Sequence, residues 1–138
     1  MIIGELDKKS GDLLQKLYEN FNTKIIRTSL DNAEAIKYAS NLFLATKISF
    51  FNEIYLICQR LGLNAKIVSE AVALDPRIGK YGVWGGKPFR GKCLPKDLVA
   101  FTSFVKKHNI NPKLLDAVSH VNEEMALHCN REKNNMKY

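Results

Sequence analysis

The sequence predicts a mainly α-helical protein in which one long helix follows a small β-α-β segment. Between Asp31 and Gly62 no proline or glycine interrupts a run rich in apolar and helix-forming residues. Before that run, short apolar stretches at positions 1–3 and 24–27 flank a helical pattern over positions 10–19. The chain has 138 residues, 46% of them hydrophobic, which is enough for one core.

The β-α-β segment supplies only two strands. An isolated pair of strands has open edges and is marginally stable by itself. We therefore expect this segment to lie at the rim of a sheet that other residues supply, and the chain to begin within a domain.

The long helix is predicted to begin at a capping box formed by Asp31 to Glu34 and to end at Gly62. About thirty residues make a helix of roughly 45 Å, which is more than a globule of this size needs. Its apolar residues are spread around the helix, so several sides need cover. A second copy of the chain is the simplest cover, and we predict a homodimer.

Three shorter helices are predicted after the long one. Asn64 can cap a helix that runs through position 74. Two more are expected over 95–108 and 112–129, each opening near a proline, with a frayed polar end beyond position 130. Between the first and the second of these three helices, residues 78–92 carry five glycines, which is typical of a loop whose backbone approaches a ligand closely.

Composition excludes several classes of protein. The 21 basic and 14 acidic residues give a net charge of +7, which suits a partner that carries phosphate. A solvated basic tail, with Arg131, Lys133 and Lys137, explains part of this excess at least as well. No nucleic-acid-binding motif is present, so nucleic acid is not expected as the partner. No stretch of about 18 uncharged apolar residues exists, and the amino end lacks a signal peptide. We expect a cytoplasmic protein with no membrane partner.

The three cysteines are judged one by one, because no C-x-x-C pair suggests a disulfide or a zinc site. The three histidines show no metal-binding pattern either, so no metal is predicted. Cys58 is expected in the core of the long helix, and Cys129 in the polar tail.

Cys93 has the surroundings of a reactive thiol. It is predicted to lie just before a helix start and beside Arg90, Lys92 and Lys96, and both features favour a thiolate. From these surroundings alone, a nucleophile and an ordinary half-buried cysteine are equally good interpretations.

Three polar side chains are the next candidates. Asp97 follows Cys93 by one helical turn, at a position where the helix dipole favours an acid whatever its role. Lys37 and Asn41 share one face of the long helix and offer a cation beside an amide. Such residues on helices are usually only solvated.

Two nucleotide-binding motifs are absent. The run from Gly82 to Lys87 fails the phosphate-loop pattern G-x-x-x-x-G-K-[ST], and the fingerprint G-x-G-x-x-G does not occur. The chain therefore has no nicotinamide site of its own that the sequence reveals.

Four motifs, in this order and spacing, resemble the UDP-glucose/GDP-mannose dehydrogenase family. The likeness runs from about 33 to 100, which is the family's central dimerisation domain, whereas residues 1–28 resemble the last edge of its Rossmann-like NAD domain. The resemblance thus divides the chain into 1–28 and 29–138. The motifs are Lys37-x-x-x-Asn41, Phe51-Asn52-Glu53, Asp75-Pro76-Arg77-Ile78-Gly79, and Phe89-Arg90-Gly91-Lys92-Cys93-Leu94-Pro95-Lys96-Asp97.

The resemblance implies an oxidation of a nucleotide sugar. Family members convert a sugar C6 alcohol to a carboxylate by two hydride transfers to two NAD molecules. Cys93 would attack the aldehyde, giving a thiohemiacetal that is oxidised to a thioester and cleaved by water. Lys37 and Asn41 would stabilise the oxyanion and position water, and Asp97 would act as a base or orient water.

The resemblance also implies binding residues. An arginine crosses the family's dimer interface to the partner's substrate, and a loop before the cysteine lines the sugar pocket. One lysine lies toward the cofactor phosphates. The resemblance assigns Arg77 to the partner's substrate and Lys96 to NAD. It assigns four loop residues to the substrate of the same chain: Trp84, Phe89, Arg90 and Gly91.

This chain departs from the family at Pro88 and Arg90, where glycine is usual. It also lacks the NAD fingerprint and the C-terminal nucleotide-sugar domain, so we do not expect turnover without a separate NAD-binding chain. Two hypotheses stay open: a truncated or split UDP-sugar 6-dehydrogenase, or a non-enzymatic dimerisation or interaction module derived from that family.

Overall fold

The structure, a computed structural model, describes residues 1–135. It confirms the predicted fold class, a mainly helical chain with a small parallel sheet near the amino end. Its elements are β1 Ile2–Glu5, α1 Lys8–Tyr18, a 3-10 turn Glu19–Phe21, β2 Ile26–Ser29, α2 Leu30–Leu61, α3 Ala65–Val72, α4 Cys93–Lys107 and α5 Lys113–Asn135.

The chain forms two compact units, Met1–Ser40 and the residues from Asn41 onward. The domain boundary predicted after residue 28 stays a prediction. In the first unit β1 and β2 pair in parallel, with Ile2 opposite Ile26. The predicted β-α-β segment is therefore present.

Arg27 on β2 holds the first unit together. Its guanidinium lies 2.6 Å from a carboxylate oxygen of Glu5 on β1 and also pairs with Asp12 on α1. It donates a further hydrogen bond of 3.1 Å to the carbonyl oxygen of Lys8. Charge-assisted bonds of this kind are stronger than neutral ones, so one side chain fixes α1 against both strands.

The start of α2 differs from the prediction, and its end agrees. The helix begins at Leu30, and the Ser29 hydroxyl accepts a hydrogen bond from the Asn32 N–H at 3.3 Å, so the capping box predicted at 31–34 is wrong. At the other end Gly62 has a φ of 68°. The N–H of Leu63 reaches the carbonyl of Cys58 at 2.8 Å, which completes a Schellman ending.

The later helices follow the prediction with two corrections. Asn64 caps α3 as predicted: its side-chain oxygen accepts hydrogen bonds from the N–H groups of Lys66 and Ile67 at 3.0 and 3.2 Å. Cys93 is the first residue of α4 and does not precede it. Helix α5 continues to Asn135, so the fraying predicted beyond 130 is wrong as far as 135. The segment contains no proline or glycine and has several good helix formers.

The second unit packs its core between α2, α3 and the loop before α4. Phe51, Ala73 and Val83 form a buried cluster against Val72. Cys58 on α2 is 3% exposed, which confirms its predicted place in the core. No helix within residues 1–135 is apolar over a length that would cross a bilayer.

Candidate functional site

The site is built on a contact between α2 and α4. Asn41 donates from Nδ2 to Oδ2 of Asp97 at 2.5 Å, and Asp97 is 0% exposed. The ammonium of Lys96 lies 3.0 Å from the other carboxylate oxygen. The acid that the sequence left ambiguous is therefore a buried, hydrogen-bonded group, which is costly unless its partners are in place.

Cys93 lies one helical turn before Asp97 on the same face of α4, and its side chain is exposed. The residue before it, Lys92, makes no capping hydrogen bond with its side chain. The first N–H groups of a helix lack intrahelical partners. At the start of α4 these groups are therefore available to an acceptor near the Cys93 thiol.

Asn52 on α2 holds the loop that leads to Cys93. Its Oδ1 accepts from the N–H of Gly86 at 2.9 Å, and its Nδ2 donates to the carbonyl of Lys87 at 2.9 Å. The side chain is 0% exposed. Both ends of one buried amide are thus satisfied by the loop backbone.

Asn122 on α5 holds the same loop three residues later. Its Oδ1 accepts from the N–H of Phe89 at 2.7 Å, and its Nδ2 donates to the carbonyl of that residue at 3.3 Å. The thiol of Cys129, also on α5, lies 3.4 Å from the carbonyl oxygen of Gly86. Cys129 is therefore a helical residue that contacts the loop, and its prediction as a tail residue is wrong.

Glycine allows this loop to lie directly on α2. A Cβ on Gly85 would lie 2.3 Å from the carbonyl oxygen of Phe51, and one on Gly86 would lie 3.1 Å from the ring of Tyr55. Gly86 also has a φ of 103°, which other residues rarely adopt. The surface that the loop backbone approaches here is a helix of this chain, and its predicted close approach to a ligand stays a prediction.

The predicted substrate residues divide by exposure. Trp84 is 51% exposed, and Arg90 and Gly91 are also exposed. Phe89 is only 6% exposed, so its side chain helps to fix the loop, and its role in a sugar pocket stays a prediction.

The remaining predicted residues lie apart from the loop in sequence. Arg77, with a side chain 87% exposed, donates to both carboxylate oxygens of Asp75 at 2.6 to 3.2 Å. These bonds lower the pKa of Asp75 below its ordinary value of 3.8. Lys37 belongs to the first unit, where its ammonium lies 4.6 Å from the ring centre of Tyr38.

Residues 1–28 do not fit a dinucleotide. Asp7 caps α1, its carboxylate accepting from the N–H of Ser10 at 2.9 Å, and the Ser10 hydroxyl completes a capping box. A pyrophosphate would need those N–H groups and a glycine-rich turn after β1, and this turn is Leu6-Asp7.

The decisive comparison concerns residues 31–124, which match the central domain of the UDP-glucose/GDP-mannose dehydrogenase family. This chain belongs to that family. The matched range contains Asn41, Cys93 and Asp97, the three residues that the fold places around the site in the second unit.

Several relatives of this family resemble the chain along most of its length. It is 41% identical over 127 residues to UDP-glucose 6-dehydrogenase TuaD of Bacillus subtilis (strain 168), covering 92% of this chain and 28% of that protein. It is 40% identical to GDP-mannose 6-dehydrogenase of Pseudomonas putida, covering 91% and 29%. The UDP-glucose dehydrogenase structure from the archaeon Pyrobaculum islandicum superimposes with a TM-score of 0.86 at 40% identity, covering 89% and 28%. The chain therefore spans little more than a quarter of the relatives it matches.

Sequence reasoning missed the residues that hold the loop. Asn52 belongs to the motif Phe51-Asn52-Glu53, which by itself indicates no role, and no sequence pattern marks Ser69 or Asn122. Ser69 donates to the carbonyl of Val83 at 2.7 Å. One signal was available: Asn52 lies directly beside Phe51 in the most apolar part of α2, where a buried polar group needs a specific partner.

Proposed function

We propose that this chain supplies the thiol-bearing part of a nucleotide-sugar 6-dehydrogenase. The observation that carries the proposal is the buried Asp97, bound by Asn41 and one turn from the exposed Cys93. A surface cysteine with no chemical role needs no buried carboxylate beside it, because burying a charge costs free energy. The names of the similar proteins agree with this activity.

Asp97 has a definite effect on Asn41. An ionised carboxylate only accepts hydrogen bonds, so it must face the amide nitrogen of Asn41. The amide oxygen and the second N–H of Asn41 are then left to accept from a water and to donate to a negative oxygen. Of the two roles that the family implies for Asp97, complete burial favours the orienting role over that of a free base.

The steps assigned to this chain are an addition and a hydrolysis. The Cys93 sulfur would form a bond to the C6 carbon of a sugar aldehyde while the carbonyl electron pair moves to oxygen, which takes up the thiol proton to give a thiohemiacetal. After oxidation of that carbon, water would add to the thioester, and the sulfur would leave as the thiolate. The oxidations require NAD, which residues 1–28 do not fit, so we assign that step to a separate NAD-binding segment.

The loop supports a substrate that carries a diphosphate. Lys87, Arg90 and Lys92 are exposed on it, and so is Trp84. Lysine and arginine are the usual partners of phosphate, and an exposed ring can stack on a base or a sugar. Arg90 replaces a glycine that is usual in the family, and we propose that it adds a phosphate contact.

The active form that we propose is a homodimer. Three exposed side chains of α2, Phe43, Phe50 and Ile57, recur at every seventh position and form a stripe suited to a second helix. Beside this stripe, a groove of about 720 Å³ between α2 and α5 is lined by apolar residues and by charges of both signs. Such a surface is complementary to its own symmetric copy. The charged lining residues include Glu53, Arg60, Glu124 and Arg131.

The dimer is tested by light scattering at micromolar concentration. We expect twice the chain mass for the unmodified protein and the mass of one chain for Phe50→Glu, because the charge would be buried in the interface. Leu114→Glu is the control and should remain dimeric, because this leucine, 65% exposed, lies on α5 and not in the stripe. A monomeric unmodified chain would refute the dimer.

The thiol role is tested by iodoacetamide labelling of each cysteine, read by peptide mass, with and without UDP-glucose. We expect UDP-glucose to protect Cys93 and to leave the labelling of Cys129 unchanged. A separately made NAD-binding segment should then restore NADH formation to the unmodified chain and not to Cys93→Ser. If no UDP- or GDP-sugar protects Cys93 and none yields NADH, this function is wrong.

The second candidate is a non-enzymatic interaction module, which Pro88 and Arg90 favour because they replace glycines that let the family's backbone close on the substrate. Under this alternative Cys93→Ser changes no property of the chain other than its thiol count. The labelling experiment separates the two candidates directly.

A further inference from the structure

One face of α2 carries both side chains that flank Cys93. Asn41 and Asn52 are eleven positions apart, which is about three turns and roughly 16 Å along the helix. Asn41 holds Asp97, which follows Cys93 in the chain, and Asn52 holds Gly86 and Lys87, which precede it. The cysteine thus lies between two points that a single rigid helix sets.

Side chains, and not backbone pairing, hold this loop. Among residues 1–135, backbone–backbone hydrogen bonding within positions 80–91 is confined to the tight turn at Tyr81 and Gly82. The bonds that do reach this stretch from neighbouring helices come from Ser69, Asn52, Asn122 and Cys129. Of these, Asn52 is the one that is fully buried and binds two consecutive residues. Its loss would leave the N–H of Gly86 and the carbonyl of Lys87 without this partner at part-buried positions.

We propose that Asn52 is a positioning residue for Cys93: its amide fixes the Gly86–Lys87 backbone on α2 and thereby sets where α4 begins. The effect of this positioning on the reactivity of Cys93 rests on the proposed function. The effect on the position of the loop follows from the hydrogen bonds of Asn52 alone.

The experiment compares Asn52→Ala with Ser49→Ala. Ser49 is a matched control, since it lies on the same helix, is 2% exposed and donates one hydrogen bond, but to the carbonyl of Val118 on α5. Amide hydrogen exchange is followed at two reporters, Phe89 in the loop and Asp97 at the start of the second turn of α4. Neither amide is bonded to Asn52.

We expect Asn52→Ala to speed exchange at both reporters at least tenfold relative to an amide in the middle of α5. Ser49→Ala should leave the ratio of reporter exchange to α5 exchange unchanged, even if it lowers the overall stability as much as Asn52→Ala does. Equal exchange ratios in the two variants overturn the proposal. If Asn52→Ala does not fold, Asn122→Ala is used in the same way, and it should speed exchange at Asp97 and leave Gly86 unchanged; no change at Asp97 overturns the coupling of loop to helix.

A second readout addresses the site. The UDP-glucose concentration that half-protects Cys93 from iodoacetamide should rise about tenfold in Asn52→Ala and not in Ser49→Ala. Equal concentrations in both variants would contradict positioning of the thiol. If UDP-glucose protects none of the proteins, the proposed function fails, while the exchange ratios still decide whether Asn52 sets the loop.

Discussion

The amide of Asn41 and the carboxylate of Asp97 are 56 positions apart in the chain and 2.5 Å apart in space. The bond joins the start of the second unit to the second turn of α4, four residues after Cys93. Because Asp97 is fully buried, its ionised form depends on this donor and on the nearby ammonium of Lys96.

Removal of the Asn41 amide should destabilise the second unit. Asn41→Ala leaves a buried carboxylate oxygen without this donor, and we expect the free energy of unfolding to fall by about 2 kcal/mol. Urea denaturation measures the change. Ser40→Ala, which removes an exposed hydroxyl bonded to its own helix, should change stability by no more than about 0.5 kcal/mol. Equal losses in the two variants would show that the Asn41–Asp97 bond contributes nothing.

Adjacent phenylalanines on α2 should behave differently. Phe51 is 5% exposed and packs against Val83, whereas Phe50 is 55% exposed. We expect Phe51→Ala to cost about 3 to 5 kcal/mol at any protein concentration, because it opens a cavity in the core. Phe50→Ala should cost little at concentrations where the chain is monomeric. Thermal unfolding at two concentrations distinguishes these effects, and a larger loss for Phe50→Ala at the lower concentration would contradict the assigned core.

Two glycines should respond to alanine for different reasons. At Gly85 the new Cβ would meet the carbonyl oxygen of Phe51, so we expect a loss of about 3 kcal/mol and a displaced loop. At Gly62 nothing lies within 4 Å, and only the positive φ opposes alanine, at a cost of about 1 kcal/mol. Chemical denaturation of both variants measures which loses more stability. A larger loss for Gly62→Ala than for Gly85→Ala would refute the prediction.

The Asp75–Arg77 pair predicts a pH dependence with a defined sign. The side-chain bonds from Arg77, and then its backbone N–H, lower the pKa of Asp75 in the folded chain. This contribution to stability is present above the ordinary pKa of 3.8 and is lost as the pH falls through the lowered value. Carboxyl NMR titration of Arg77→Leu should show the pKa of Asp75 rising toward 3.8. An unchanged pKa would mean that the ion pair does not persist in solution.

Local patterns in the sequence predicted the helices well and their starts less well. Gly62 ended α2 as predicted because a left-handed ending depends on neighbouring residues alone. The start of α2 was misplaced because Ser29 and Asp31 are both good capping residues, and the strand that precedes the helix decides between them. Helix α5 extends beyond its predicted end because residues 130–135, although polar, include good helix formers.

The sequence by itself determined the helical fold class, the family and the candidate residues Cys93, Asn41 and Asp97, since each depends on residue type and spacing. The tertiary structure alone decided that Asp97 is buried, and that Asn52 and Asn122 hold the loop before the thiol. These bonds join residues 33 to 56 positions apart, and no local pattern encodes which buried amide meets which backbone group. That choice is made only when the helices pack, because a buried polar group is stable only beside its partner.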